Sequence, residues 1–152
     1  MRYINGDIIR LANQGMFDVI GHGCNCFCTM GAGLAKSMKK AFPEIVLADN
    51  CTTMGDKKKL GTFTHVDYGG LVVLNLYIQY KYGSSCPDVD YSAIRECMMK
   101  IKKKYSGRKI GLPMIGSGLA GGDWNRISDI IEDELRDEDV IIVKFKNNET
   151  VS

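Results

Sequence analysis

His22-Gly23-Cys24-Asn25-Cys26-Phe27-Cys28-Thr29-Met30-Gly31-Ala32-Gly33 and, far along the chain, Pro113-Met114-Ile115-Gly116-Ser117-Gly118-Leu119-Ala120-Gly121-Gly122-Asp123-Trp124 decide how this sequence is read. Each follows an apolar run that reads as a strand, Phe17 to His22 before the first and Lys109 to Leu112 before the second. Each opens a stretch with helical spacing: Leu34, Ala35, Met38 and Phe42 after the first, Ile127, Ile130, Ile131 and Leu135 after the second. Glycine lets a backbone approach a ligand closely and adopt positive φ. Free N–H groups at a helix start, together with the helix dipole, attract an anion. Two such loops on one short chain predict two walls around one phosphorylated ligand, with a diphosphate the natural occupant.

The rest of the chain fits around these loops. Tyr3 to Asn5 reads as a short strand ending at a Gly6-Asp7 turn. Pro43 stops the first helix and starts a second, running roughly to Met54. Thr62 to Val66 alternates like a strand, Tyr68-Gly69-Gly70 is a turn, and the apolar run Leu71 to Ile78 predicts a central strand. Pro87 to Asp90 marks a loop and helix cap before the stripe Ile94, Met98, Ile101 and Tyr105. Asp123 is placed to cap the helix after the second loop, and Val140 to Phe145 reads as a final buried strand. Alternating strands and helices predict an α/β fold: a three-layer α/β/α sandwich with a central mixed, mostly parallel sheet, formed as a single domain over 1–152. Ligands of such sheets sit beyond the carboxyl ends of the strands, where both glycine loops emerge.

With 45% apolar residues the chain can build a core, which excludes a disordered tail or linker. No apolar run is long enough to span a bilayer, and the start Met1 to Asp7 has no signal-peptide core, so a soluble cytoplasmic protein is expected. A net charge of +2 gives no compositional argument for nucleic acid or membrane. Lys57-Lys58-Lys59 and Lys102-Lys103-Lys104 read as solvated surface. The six cysteines read as buried, reduced thiols. Cys24, Cys26 and Cys28 lack the spacing of a zinc site, and His22 and His65 do not complete one, so neither metal nor cofactor is expected.

No G-x-x-x-x-G-K-[ST] loop is present, and Gly31-Ala32-Gly33 lacks the third glycine of a dinucleotide fold. Instead the chain resembles the macrodomain family of ADP-ribose-binding proteins over nearly its whole length. The resemblance rests on Asn5-Gly6-Asp7-Ile8-Ile9, on His22-Gly23-Cys24-Asn25 through Gly31-Ala32-Gly33-Leu34-Ala35, and on Ile115 through Trp124. It implies that Asp7 accepts a hydrogen bond from the adenine amino group, and a carboxylate suits that role. It further implies that Ile8 offers its backbone N–H and that Asn25 lies near the distal ribose. Gly31, Ala32, Gly33 and Leu34 would form the first diphosphate loop and Ser117, Gly118, Leu119 and Ala120 the second. Lys144 or Phe145 would stack on adenine, the register being open.

The resemblance also bears on chemistry. One branch needs an acid near Ala35, and another needs a lysine and an aspartate where this chain carries Gln79 and Ala120. The string His22-Gly23-Cys24-Asn25-Cys26 resembles that of the phosphatases that act on ADP-ribose 1″-phosphate. This implies an enzyme releasing phosphate from that ligand, with His22, Asn25 and Asp123 as the catalytic set and acid and base unassigned. A thiol mechanism would need an arginine in the loop, and none is there. Two alternatives stand: a hydrolase removing ADP-ribose from protein or nucleic acid, and a non-catalytic ADP-ribose reader. The expected partners are ADP-ribose, its 1″-phosphate or an ADP-ribosylated macromolecule, bound by a monomer with no membrane role.

Overall fold

The structure, a computed structural model, describes residues 1–82, 89–118 and 120–146. Leu119 and, in the expected loop at Pro87 to Asp90, Pro87 and Asp88 lie outside the described residues. A six-stranded sheet forms the centre, in the order β1-β6-β5-β2-β4-β3. Its strands are β1 (Arg2–Gly6), β2 (Val19–Cys24), β3 (Phe63–Asp67), β4 (Val72–Tyr77), β5 (Lys109–Pro113) and β6 (Asp139–Phe145). Every ladder is parallel except β3 against β4. The sheet is therefore mixed and mostly parallel, as the alternation of elements predicts.

Helices cover both faces. α4 (Tyr91–Tyr105) and α5 (Trp124–Glu134) bury Ile94, Met98, Ile101, Ile127 and Ile131 against one face, together with Val19, Leu74 and Leu76 of the sheet. On the other face lie α1 (Ile8–Asn13), α2 (Gly33–Ala41) and α3 (Glu44–Asn50), with Ile8, Met38 and Ile45 packed on Ile20, Val73 and Tyr77. Each fully buried aliphatic side chain contributes roughly 1.5–3 kcal/mol. Asp90 caps α4 by accepting from the Ala93 N–H, and Asp123 caps α5 by accepting from the Asn125 N–H.

Two local departures from the sequence reading shape the site. α1 was not expected; Asp7 nucleates it by accepting from the Ile9 and Arg10 N–H groups. Lys59 is not solvated surface. It closes a short 3₁₀ turn (Lys57–Lys59) and is only 6% exposed, whereas Lys57 and Lys58 do face solvent. In addition, α3 stops at Asn50, short of Met54. No helix among the described residues is long and apolar enough to cross a membrane.

Candidate functional site

β2 and β5 lie side by side yet pair only at Val19–Ile110 and Ile20–Gly111. Past those residues the two strands part, and their carboxyl ends lead into the two glycine loops. The split lies at the carboxyl edge of the sheet, the place where α/β sheets take their ligands, and we infer a crevice there between the loops. The loops converge at its base: a Cβ on Gly23 would lie 4.0 Å from the Gly116 backbone nitrogen.

The first wall ends in an open helix start. Ala32 precedes α2 without any side-chain cap, so the N–H groups of Gly33, Leu34 and Ala35 open the helix with no side-chain partner among the described residues. Gly31, Ala32 and Gly33 are exposed, and Gly33 takes a φ of 58°, which favours glycine. Asn25 shapes this loop from within. Its amide donates to the Thr29 carbonyl and hydroxyl oxygens at 3.0 and 2.7 Å, and its Oδ1 accepts from the Phe27 N–H at 2.8 Å.

The second wall is a closed turn. Gly122 donates to the Gly116 carbonyl at 2.7 Å, and a Cβ on Gly122 would come within 2.6 Å of that oxygen, so no other residue fits there. Ser117 bends inward, its hydroxyl donating to the Met114 carbonyl, while Gly118 is exposed and Ala120 is buried. The helix that follows differs from α2, because Asp123 already satisfies the Asn125 N–H. Only one of the two loops therefore ends in an uncapped helix. Asp123 is exposed, and its own N–H donates to the Tyr91 hydroxyl at 3.0 Å, which ties the second loop to the start of α4.

One end of the crevice is set by β1 and β6. The register open in the sequence is fixed here: Asn5 lies opposite Lys144, and Gly6 opposite Phe145. Lys144 turns to the α5 face, its Nζ 5.2 Å from the centre of the Tyr3 ring. Phe145 shares the α1 face with Val143, two residues earlier, and is 76% exposed. An open aromatic ring thus stands beside the Asp7–Ile8 turn, where Asp7 Oδ1 caps the helix and Oδ2 has no partner among the described residues.

His22 departs from the expectation placed on it. The strand runs on to Cys24, and alternation sends the His22 ring under the helical layer rather than into the crevice. It is 1% exposed, and its Nε2 lies 2.7 Å from Asn75 Oδ1. Burial holds its pKa down at about 4 despite the hydrogen bond to Asn75, so the ring is neutral. A neutral, enclosed imidazole fits a structural role and does not suit a general acid or base at the ligand. Cys24 and Cys26 do not suit a nucleophile either, because burial raises both thiols above their ordinary range. Among the described residues no group of three His, Cys, Asp or Glu is arranged to hold a metal ion.

A hollow of about 450 Å³ lined by Met1, Glu132, Arg136, Glu138 and Val140 lies at the amino end of β6, opposite the glycine loops. It carries none of the candidate catalytic or ligand-binding residues named from the sequence.

A family model described as Macro domain matches residues 22–131. An uncharacterized 17.5 kDa protein of the tk-vs intergenic region of Enterobacteria phage T4 is 36% identical over 159 residues, covering 96% of this chain and 97% of its own. The ADP-ribose glycohydrolase OARD1 of Bos taurus is 27% identical over 146 residues, covering 94% of this chain and 89% of its own. Among solved structures, Thermosipho africanus DarTG in complex with ADP-ribose superposes with a TM-score of 0.73 at 17% identity, over 97% of this chain and 42% of that one. At that identity the likeness is one of fold. The family match spans most of the chain and takes in both glycine loops, so this protein belongs to the Macro domain family.

Proposed function

We propose that this protein binds ADP-ribose in the crevice between its glycine loops and hydrolyses the phosphomonoester of ADP-ribose 1″-phosphate. The observation that carries the binding is the parting of β2 and β5 between an uncapped helix start and a glycine turn. The sheet order then gives the ligand a direction. Asp7 and Phe145 at β1 and β6 receive adenine, the loops after β5 and β2 receive the diphosphate, and the distal ribose reaches toward β4. DarTG, whose structure is described as in complex with ADP-ribose, and OARD1, named an ADP-ribose glycohydrolase, both support a ligand of this class.

For the reaction, Asp123 is the reactive group. Its Oδ1 holds the Asn125 N–H, and its Oδ2, without a partner among the described residues, would take a proton. Water adds to phosphorus and gives a proton to the Asp123 carboxylate, the bond from phosphorus to O1″ breaks, and the proton passes on to O1″, while backbone N–H groups hold the phosphate oxygens. Asn25 holds the loop rather than the proton, its side chain being engaged with Phe27 and Thr29. The enzyme works as a cytoplasmic monomer of one domain, without metal or cofactor.

The likeness to OARD1 favours a second reading, in which the same crevice releases ADP-ribose from a macromolecule. Gln79, whose amide donates to the Lys81 carbonyl, stands where a lysine-dependent member would carry its lysine, which weighs against that mechanism here. A side-by-side assay separates the readings. Purified protein is given ADP-ribose 1″-phosphate, ADP-ribosylated protein, ADP-ribosylated DNA and free ADP-ribose. Phosphate release is expected. Release of ADP-ribose from a macromolecule would replace the first reading with the second, and binding without turnover would leave a reader.

A further inference from the structure

A buried polar chain runs beneath the first glycine loop, and the proposed reaction does not use it. His22 Nε2 meets Asn75 Oδ1 at 2.7 Å, and Asn75 Nδ2 donates to Thr64 Oγ1 at 2.9 Å. Thr64 Oγ1 lies 3.0 Å from the Tyr77 hydroxyl, which donates to Asp49 Oδ1 at 2.7 Å. Asp49 faces the ammonium of Lys59 at 4.0 Å, with both side chains at least nine-tenths buried. Lys59 Nζ also sits 4.6 Å over the Tyr77 ring.

Lys59 is where this chain of contacts reaches the loop. Its Nζ donates to the Cys26 carbonyl at 3.2 Å and to Cys28 Sγ at 3.7 Å. The same Cys26 carbonyl accepts from the Gly55 N–H at 2.7 Å. Cys28 takes a φ of 57°, a left-handed conformation that a side chain resists without support. Its sulfur finds that support from Lys59, from the Asp49 carbonyl at 3.4 Å and from Thr52 at 3.6 Å. Thr29 follows, clasped by Asn25, then buried Met30, and then the exposed Gly31-Ala32-Gly33.

We propose that Lys59 is a positioning residue: from beneath the loop its ammonium fixes Cys26 and Cys28, and so sets the path on which Gly31 to Gly33 meet the diphosphate. A buried ammonium is costly to desolvate, and its attraction to Asp49 offsets that cost. A methionine would fill similar volume and stabilise the fold as well. What methionine lacks are the donors that hold the loop. For the ligand measurement this inference rests on the ADP-ribose reading given above.

The test uses the double variant Asp49→Asn, Lys59→Met. Lys59→Met alone leaves the Asp49 carboxylate buried without its counter-ion and lowers the melting temperature. The double variant removes that charge, keeps an acceptor for the Tyr77 hydroxyl and restores the melting temperature. Two measurements then follow. Amide hydrogen exchange in the double variant is expected to quicken over residues 25–34 and to stay unchanged in β4 and α4. ADP-ribose affinity is expected to fall roughly tenfold, the scale of losing a preorganised loop, and AMP affinity to fall less. Unchanged exchange over 25–34 overturns the proposal, and so does faster exchange with full ADP-ribose affinity. If the wild-type protein does not bind ADP-ribose, the functional reading fails by itself, and the exchange result alone decides the role of Lys59.

Discussion

Gly6 and Phe145 face each other across the β1–β6 ladder, which stands a 76% exposed aromatic ring beside the turn that carries Asp7. On the ADP-ribose reading the two groups would serve one flat, polar ligand. The ring offers a face for stacking, and the carboxylate offers an acceptor at the edge.

Phe145→Ala is expected to weaken ADP-ribose binding by about 1–3 kcal/mol, the usual worth of a base stacked on an aromatic side chain. Ribose 5-phosphate, which has no base, loses little. Calorimetric titration of both ligands checks the pair. Equal losses would mean that the ring acts on the fold rather than on adenine.

Asp7 is best tested as Asp7→Asn. Asparagine still caps α1 through its carbonyl oxygen, so the helix survives. Its amide then presents a donor to the adenine amino group, which also donates. The charged bond is lost, at roughly 1.5–3 kcal/mol, while the melting temperature holds. A titration showing wild-type affinity would leave Asp7 with the cap as its whole role.

His22 carries a pH prediction about stability. Its folded pKa of about 4 lies below the ordinary 6.5. Above pH 6.5 the ring is neutral in both states and adds no pH dependence. As pH falls from 6.5 toward 4, the unfolded chain binds the proton and the native one does not, so stability drops, by about 3 kcal/mol in all. Asp49, whose carboxyl burial pushes up, works in the opposite sense. Denaturant melts of wild type and His22→Gln over this range isolate the histidine, and the variant is expected to show the shallower acid slope. Its kcat/KM at pH 7 should stay within a few-fold of wild type. A loss of about 10²-fold or more, the mark of a missing acid or base, would return His22 to the catalytic set.

Sequence reading found what local pattern controls and missed what distant partners control. Both glycine loops, the central strand β4 and the caps Asp90 and Asp123 follow from spacing and residue type. Helix α1 has six residues, too few for a helical period to register. His22 drew a catalytic reading because it stands beside a glycine loop. Its actual partner, Asn75, lies 53 residues away, and the strand had to be followed to Cys24 to see which way the ring points. Lys59 looked solvated within a run of three lysines, and its burial depends on Asp49 and on the loop carbonyl of Cys26. Choosing between Lys144 and Phe145 required the register with β1, from the opposite end of the chain.

Asp123→Asn separates chemistry from structure at the second loop. Asparagine keeps the cap on α5. Phosphate release from ADP-ribose 1″-phosphate is expected to fall by about 10²–10⁴, with ADP-ribose affinity nearly unchanged. Steady-state kinetics beside a product titration reads both. Full activity in the variant would reduce Asp123 to a cap.

The central claim is that the parted ends of β2 and β5 hold ADP-ribose without help from a metal. Isothermal titration of the protein with ADP-ribose in the presence of a chelator tests it directly. The account predicts saturable binding at one site per chain, lost in competition with ADP-ribose 1″-phosphate and insensitive to the chelator. No heat and no competition at millimolar ligand would contradict it.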